Sequence, residues 1–164
     1  MMIYLNSSNL KDAKFLLYTH NIHTKNGYNI STNVVKFKDH IKWYRKKLKS
    51  KNSKIYIGYK NKAKFGYVRF DRIKNKLFKV SIGNHPKFYG KKLGTKMLNL
   101  AIKKFVKSYK PKRIISCVKK FNIRSQKCFL NNGFRNIKKF SKKELDIDNK
   151  INSKNLKIYE YKVK

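Results

Sequence analysis

The chain reads as an α/β domain built on a mixed β-sheet, and three observations predict this. Strand-like and helix-like segments alternate along the sequence. The apolar stripe Met97, Leu98, Ala101, Ile102, Phe105 and Val106 marks a strong amphipathic helix at its centre. Short apolar runs at residues 78–84 and 113–118 flank that helix on either side. The order is a strand triplet, a helix, a strand, a helix and two further strands, which fits neither a Rossmann repeat nor a helical bundle.

Taken in order, residues 2–5 read as a short strand. Residues 8–18 read as a helix capped by Ser8 or Asn9, with Leu10, Ala13, Leu16 and Leu17 on one face. Residues 20–32, rich in Asn, Gly, Thr and Ser, are expected to form a loop. A second helix at 38–48 places Ile41, Tyr44 and Leu48 at helical spacing. Strands at 55–59, 65–71 and 78–84 follow, joined by Asn- and Lys-rich turns. Pro111 stops the central helix, and 113–118 is a strand. Asn122 caps a helix that runs to Asn132 and ends at Gly133, the residue type suited to a left-handed C-terminal position. Strands at 134–140 and 156–162 enclose a charged loop.

With 164 residues, 40% of them hydrophobic and 14% aromatic, the chain is expected to form one domain with a true core. Cys117 and Cys128, each inside an apolar run, make neither a disulfide framework nor a ligand cluster, and four scattered histidines do not suggest a metal site. The first residues lack signal-peptide features and no run is long enough to span a membrane, so a soluble cytoplasmic protein is expected. The charge is extreme: 44 basic residues against 7 acidic ones give +37. Most of the cations are lysines, with Arg45, Arg69, Arg72, Arg113, Arg124 and Arg135 the exceptions, and they are spread from end to end. That distribution describes a solvated surface and argues against specific nucleic-acid readout, which favours arginine. It nonetheless attracts any small anion.

One stretch carries chemistry. His85 to Leu98 is a glycine-punctuated basic turn leading into the central helix. Glycine admits close backbone approach, and a helix start leaves amide N–H groups free for a phosphate. Lys87, Lys91, Lys92 and Lys96 surround it. No Gly-Lys-Ser or Gly-Lys-Thr follows, and Gly90 and Gly94 do not match the dinucleotide fingerprint. A different phosphate ligand is required.

Two strings resemble motifs of the GNAT-type N-acetyltransferase superfamily. The family reads Arg/Gln-x-x-Gly-x-Gly/Ala after a strand, against Tyr89-Gly90-Lys91-Lys92-Leu93-Gly94 here, with departures at Tyr89 and Lys92. The later Asn-x-x-Ser/Ala, aromatic and Gly-Phe motif is matched by Asn122, Ser125, Phe129, Gly133 and Phe134. The resemblance implies a mixed sheet of roughly six to seven strands flanked by about four helices. It implies acetyl-CoA as cosubstrate, held in a splay between the parallel strands 78–84 and 113–118. Its pantetheine arm would pair with the backbone of Ile82 and Asn84, and its pyrophosphate would lie on the N–H groups of Tyr89, Gly90, Lys91, Lys92, Leu93, Gly94 and Thr95. A narrower likeness, carried by residues 40–44, 55–59 and 66–71, is to acetyltransferases of nonulosonic-acid pathways, whose acceptor is the amino group of a UDP-linked deoxyamino sugar. A protein or small-amine acceptor, or a non-catalytic polyanion-binding protein on the same fold, are the alternatives.

Amine acetylation needs a base to take a proton from the amine and an N–H donor for the developing oxyanion. Among the few acids, Asp71 ends the strand beside the cofactor strand and is the candidate base, with partnership to Arg69 or Arg72 as its structural alternative. His20 and His40 are further candidates. Asp12, Asp39, Glu144, Asp146, Asp148 and Glu160 read as surface or turn residues. Trp43 suits stacking on a base or sugar and Arg69 a substrate phosphate, giving His40, Trp43 and Arg69 as acceptor-binding candidates. Many relatives place a Tyr where Phe129 stands, to protonate the departing thiolate; here Ser125, a nearby Tyr or water would substitute.

Overall fold

A computed structural model describes residues 2–138, 140–143, 145, 147 and 151–163. The elements are β1 (Ile3–Ser7), α1 (Ala13–Lys25), α2 (Phe37–Lys49), β2 (Ser53–Lys60), β3 (Ala63–Lys74), β4 (Leu77–Asn84), α3 (Leu93–Tyr109), β5 (Arg113–Lys119), α4 (Ile123–Leu130), β6 (Arg135–Ile137) and β7 (Leu156–Lys162). They form an α/β fold around a seven-stranded mixed sheet in the order β1-β2-β3-β4-β5-β7-β6.

Every neighbouring pair is antiparallel except β4 and β5. These two run parallel because α3 carries the chain back across one face of the sheet between them. Their pairing covers only Leu77↔Arg113, Phe78↔Ile114 and Lys79↔Ile115, after which the strands part. The opening lies at the C-terminal end of β4, next to the start of α3.

Alternation along β3 divides the core. Val68 and Phe70 face α3, where Phe70 stacks on Phe105 at 4.0 Å between ring centres. On the other face Tyr67 packs with Ile57, Ala13, Leu16 and Tyr44 beneath α1 and α2. A third cluster joins β5 and β7 to Leu145 and Ile147. Trp43 is partly buried against the α2 face, and Leu10, expected to be buried, is exposed.

Asn9, not Ser8, caps the first helical segment. Its side chain accepts the Lys11 N–H at 2.9 Å, and Asp12 accepts the Asn9 N–H at 2.9 Å in a reciprocal capping box. Asp12 is buried and paired with Lys64 at 2.7 Å, so it is not the surface residue expected. Glu160 is likewise buried, beside Arg113. Glu144, Asp146 and Asp148 lie outside the described residues.

The largest departure from expectation is α1, which continues to Lys25 through residues read as a loop. Side-chain hydrogen bonds, one of them to the distant β4, hold the extra turns. The Asn29 amide donates to the His20 carbonyl at 2.9 Å and to Thr24 Oγ1 at 2.8 Å, and His23 Nε2 donates to the Asn84 carbonyl at 2.9 Å. The 134–140 strand shortens to β6, whereas β7 has the expected limits. Gly133 adopts φ 81°, and the Phe134 N–H reaches the Phe129 carbonyl at 3.2 Å, closing α4 as its sequence predicts.

Candidate active site

The parting of β4 from β5 opens a cavity of about 550 Å³. Its floor is Ile82 and Asn84 of β4. The His85 N–H bonds the Phe65 carbonyl at 2.8 Å, so alternation turns the backbone groups of Ile82 and Asn84 away from β3 and towards the opening. One wall is the turn with Phe88, Tyr89 and Gly90, followed by Lys92 to Lys96 at the start of α3. The facing wall is α4, through Asn122, Arg124, Ser125, Lys127 and Cys128, and the rim is His23 and Tyr28.

The turn's geometry follows from its residues. Gly90 has φ 76° with open space where a Cβ would be. Lys92, standing where the resembled motif has Gly, adopts a left-handed φ of 54° immediately before α3, a conformation that costs about 1 kcal/mol or more for a residue with a Cβ. Gly94 lines the cavity and also leaves space for a neighbouring side chain. A Cβ there would lie 2.4 Å from Asn84 Nδ2, so this glycine makes room for the Asn84 side chain. Asn84 Oδ1 and the Tyr89 hydroxyl are both buried without a hydrogen-bond partner. Two unspent polar atoms, a left-handed glycine and helix-start N–H groups make this cavity fit a phosphate-bearing ligand with a polar arm.

The electrostatics are one-sided. Lys92, Lys96, Arg124 and Lys127 line the cavity, and among the described residues no carboxylate does. His23 is held neutral: burial lowers its pKa, with the Arg124 charge adding to this and its bond to the Asn84 carbonyl opposing. That bond puts the proton on Nε2 and leaves Nδ1 with a lone pair. Burial pushes the Cys117 and Cys128 thiols up to about 11, so neither is a nucleophile near neutral pH.

Several expected site residues lie elsewhere. Asp71 is not at the cavity. Because β3 and β4 are antiparallel, Asp71 pairs with Lys79, which in turn pairs with Ile115 at the closed end of the β4–β5 contact. It is locked by Lys47 at 2.6 Å, Arg69 at 2.7 Å and the Ser53 hydroxyl at 2.9 Å. Burial alone would raise its pKa, but the Arg69 and Lys47 charges and the two hydrogen bonds outweigh this and the net shift is downward, away from a base. Lys91 is outside the lining and stands over Phe88. His40, Trp43 and Arg69 gather on the α2 side of the sheet. His40 stacks on Tyr44 at 5.6 Å and sits tilted against Trp43 at 5.5 Å, and the Arg69 guanidinium lies 5.1 Å from the Trp43 ring centre. Burial lowers the His20 pKa to about 4, with Arg69, His40 and His23 adding to the effect.

Phe129 is also not a cavity residue. It is a core side chain, 1% exposed, packed edge-on against Phe134 at 5.1 Å and stacked with Tyr159 at 6.2 Å. Phe129→Tyr is therefore expected to bury a hydroxyl in an apolar cluster, lowering stability by about 1–3 kcal/mol without accelerating turnover. Urea denaturation and a thiol-release assay check both parts.

The cavity residues not anticipated are His23, Tyr28, Phe88, Arg124, Lys127, Cys128 and Asn131. Arg124 and Lys127 stand within the Asn122 motif, which was the available signal. His23 and Tyr28 had none, since the extra turns of α1 bring them in.

The family model for the GNAT acetyltransferase domain matches residues 8–135. The chain belongs to the GNAT acetyltransferase family and is an N-acetyltransferase with acetyl-CoA as cosubstrate. Solved structures share the fold. An N-acetyltransferase from Staphylococcus aureus Mu50 is 16% identical, covers both chains completely (100% of each) and has a TM-score of 0.81. The yncA protein of Salmonella typhimurium, solved with acetyl-CoA, is 14% identical over 99% of this chain and 94% of its own, with a TM-score of 0.78. Spermidine N-acetyltransferase from Vibrio cholerae, in complex with CoA and spermine, is 16% identical over 96% and 92%, with a TM-score of 0.79. No curated protein matches the sequence. Among the described residues no helix is long and apolar enough to cross a membrane.

Proposed function

We propose that this enzyme acetylates the amino group of an anionic small molecule, a nucleotide-linked deoxyamino sugar. The observation that carries the reading is the Arg69 guanidinium lying 5.1 Å from the Trp43 ring centre, on a chain with a net charge of +37. A polycation such as the spermine held by the Vibrio cholerae neighbour would find repulsion here, whereas a diphosphate-linked sugar would be drawn in. Arg69 and Trp43, both partly exposed on the α2 side of the sheet, supply a guanidinium and aromatic surface suited to a nucleotide, and His40 is buried beside Trp43.

The residues of the cavity fit acetyl-CoA. Ile82 and Asn84 offer backbone groups to its pantetheine arm, and Tyr89, Gly90, Lys92, Leu93, Gly94 and Thr95 frame its pyrophosphate. Bound there, acetyl-CoA supplies a thioester carbonyl; the amine nitrogen bonds to the acetyl carbon, the carbon–sulfur bond breaks, and the amine loses a proton. In place of Asp71, His23 Nδ1 is the proton acceptor that this cavity offers, since Nε2 is committed to the Asn84 carbonyl and burial keeps the ring neutral. Asn122 Oδ1 takes the Ser125 N–H at 3.2 Å, which fixes this residue at the first turn of α4 and leaves its hydroxyl to donate to the departing sulfur.

A thiol-release screen against UDP-linked amino sugars, spermidine and basic peptides tests the reading. Turnover with the nucleotide sugars and none with the cations is expected. Turnover with spermidine or peptides alone would overturn the acceptor class.

A further inference from the structure

We infer that Arg124 is the principal phosphate-binding cation for acetyl-CoA, replacing the one that the glycine turn lacks at Tyr89. The inference deepens the cofactor assignment above and rests on it. Four observations support it. The Arg124 guanidinium carbon lies 4.4 Å from the centre of the Tyr89 ring and 5.0 Å from that of Tyr28. Arg124 is exposed on α4, lines the same cavity as the turn, and forms no ion pair with a carboxylate among the described residues. The Tyr89 hydroxyl is buried with no partner. The segment carrying Tyr28 is pinned, because Lys119 Nζ donates to the Gly27 carbonyl at 2.9 Å and Gly27 takes a left-handed φ of 73°.

The arrangement is therefore assembled from three separate parts of the chain: the segment after α1, the glycine turn and the first turn of α4. Aromatic faces hold a guanidinium by its plane and leave its edge N–H groups available. Those edges form the fork that matches phosphate oxygens in pairs. A tyrosine at position 89 gives up a direct cation in the loop, but its ring orients the arginine brought in from α4. Lys92, Lys96 and Lys127 add point charge without that geometry. Arg124 is thus a binding residue, and Tyr28 and Tyr89 are its positioning residues.

Isothermal calorimetry with CoA, on the full chain, tests this. Arg124→Ala is expected to weaken binding about 10- to 100-fold. Arg124→Lys is expected to remain at least about fivefold weaker than the wild type, since an ammonium has neither the plane nor the fork. Lys107→Ala, which removes an exposed cation from the last turn of α3, is expected to change affinity less than about twofold. Thermal melts confirm that each variant is folded; Arg124 is exposed, so its removal leaves the core intact. Wild-type affinity in Arg124→Ala, full recovery in Arg124→Lys, or an equal loss in Lys107→Ala would each overturn the inference while leaving the cofactor assignment in place. Failure of the wild type itself to bind CoA would overturn that assignment instead.

Discussion

Gly94→Ala is expected to lower CoA affinity at least about tenfold and stability by about 1–3 kcal/mol, because the added methyl overfills the space that the Asn84 side chain occupies. The added methyl would lie 2.4 Å from Asn84 Nδ2. The Asn84 side chain fills the space that two glycines leave, its Oδ1 lying 2.6 Å from where a Cβ on Gly66 would stand. Relief comes from displacing the Asn84 side chain, which stands on the floor of the cofactor cavity. Calorimetry with CoA and urea denaturation read the two effects, and wild-type values in both would show that Asn84 is not wedged.

Asp71→Ala is expected to cost about 2 kcal/mol at neutral pH, since it leaves Lys47 and Arg69 without their shared carboxylate; the figure sits below that for a fully buried pair because all three groups retain some exposure. The pH dependence has a definite sign. The folded pKa of Asp71 lies below its ordinary value of 3.8. Its contribution is therefore present above about pH 4 and is lost as pH falls through the folded value. Denaturation midpoints of wild type and variant should differ at pH 7 and draw together in acid. A constant difference down to acid pH would show that the ion pairs do not carry the effect.

These two residues also show what was legible in the sequence. Features set by neighbouring residues were read correctly: β7, the Asn122 cap, the left-handed Gly133 and the apolar stripe of α3 all follow from local chemistry. The glycine turn and the Asn122 motif located the cavity, with Ile82, Asn84, Tyr89, Gly90, Lys92, Leu93, Gly94, Thr95, Asn122 and Ser125 all lining it. What depends on register or on distant contacts was not legible. Asp71 ends up at the closed end of β4 because the strands are antiparallel. Phe129 turns into the core although its motif neighbours line the cavity. His23 arrives because Asn29 and Asn84 extend a helix that its own residues favour only weakly.

Among the described residues, the three paired positions between β4 and β5 are the strand-to-strand seam joining β1–β4 to β5–β7. Beyond that seam each half of the sheet presents main-chain edges to the gap, so an occupant completes an interrupted ladder and acts as a removable rung. Recognition of that kind is written in backbone direction and not in side-chain identity. Positions such as 82 are thus free to vary so long as alternation keeps their amides turned inward. The fold itself is shared with chains only 14–16% identical to this one.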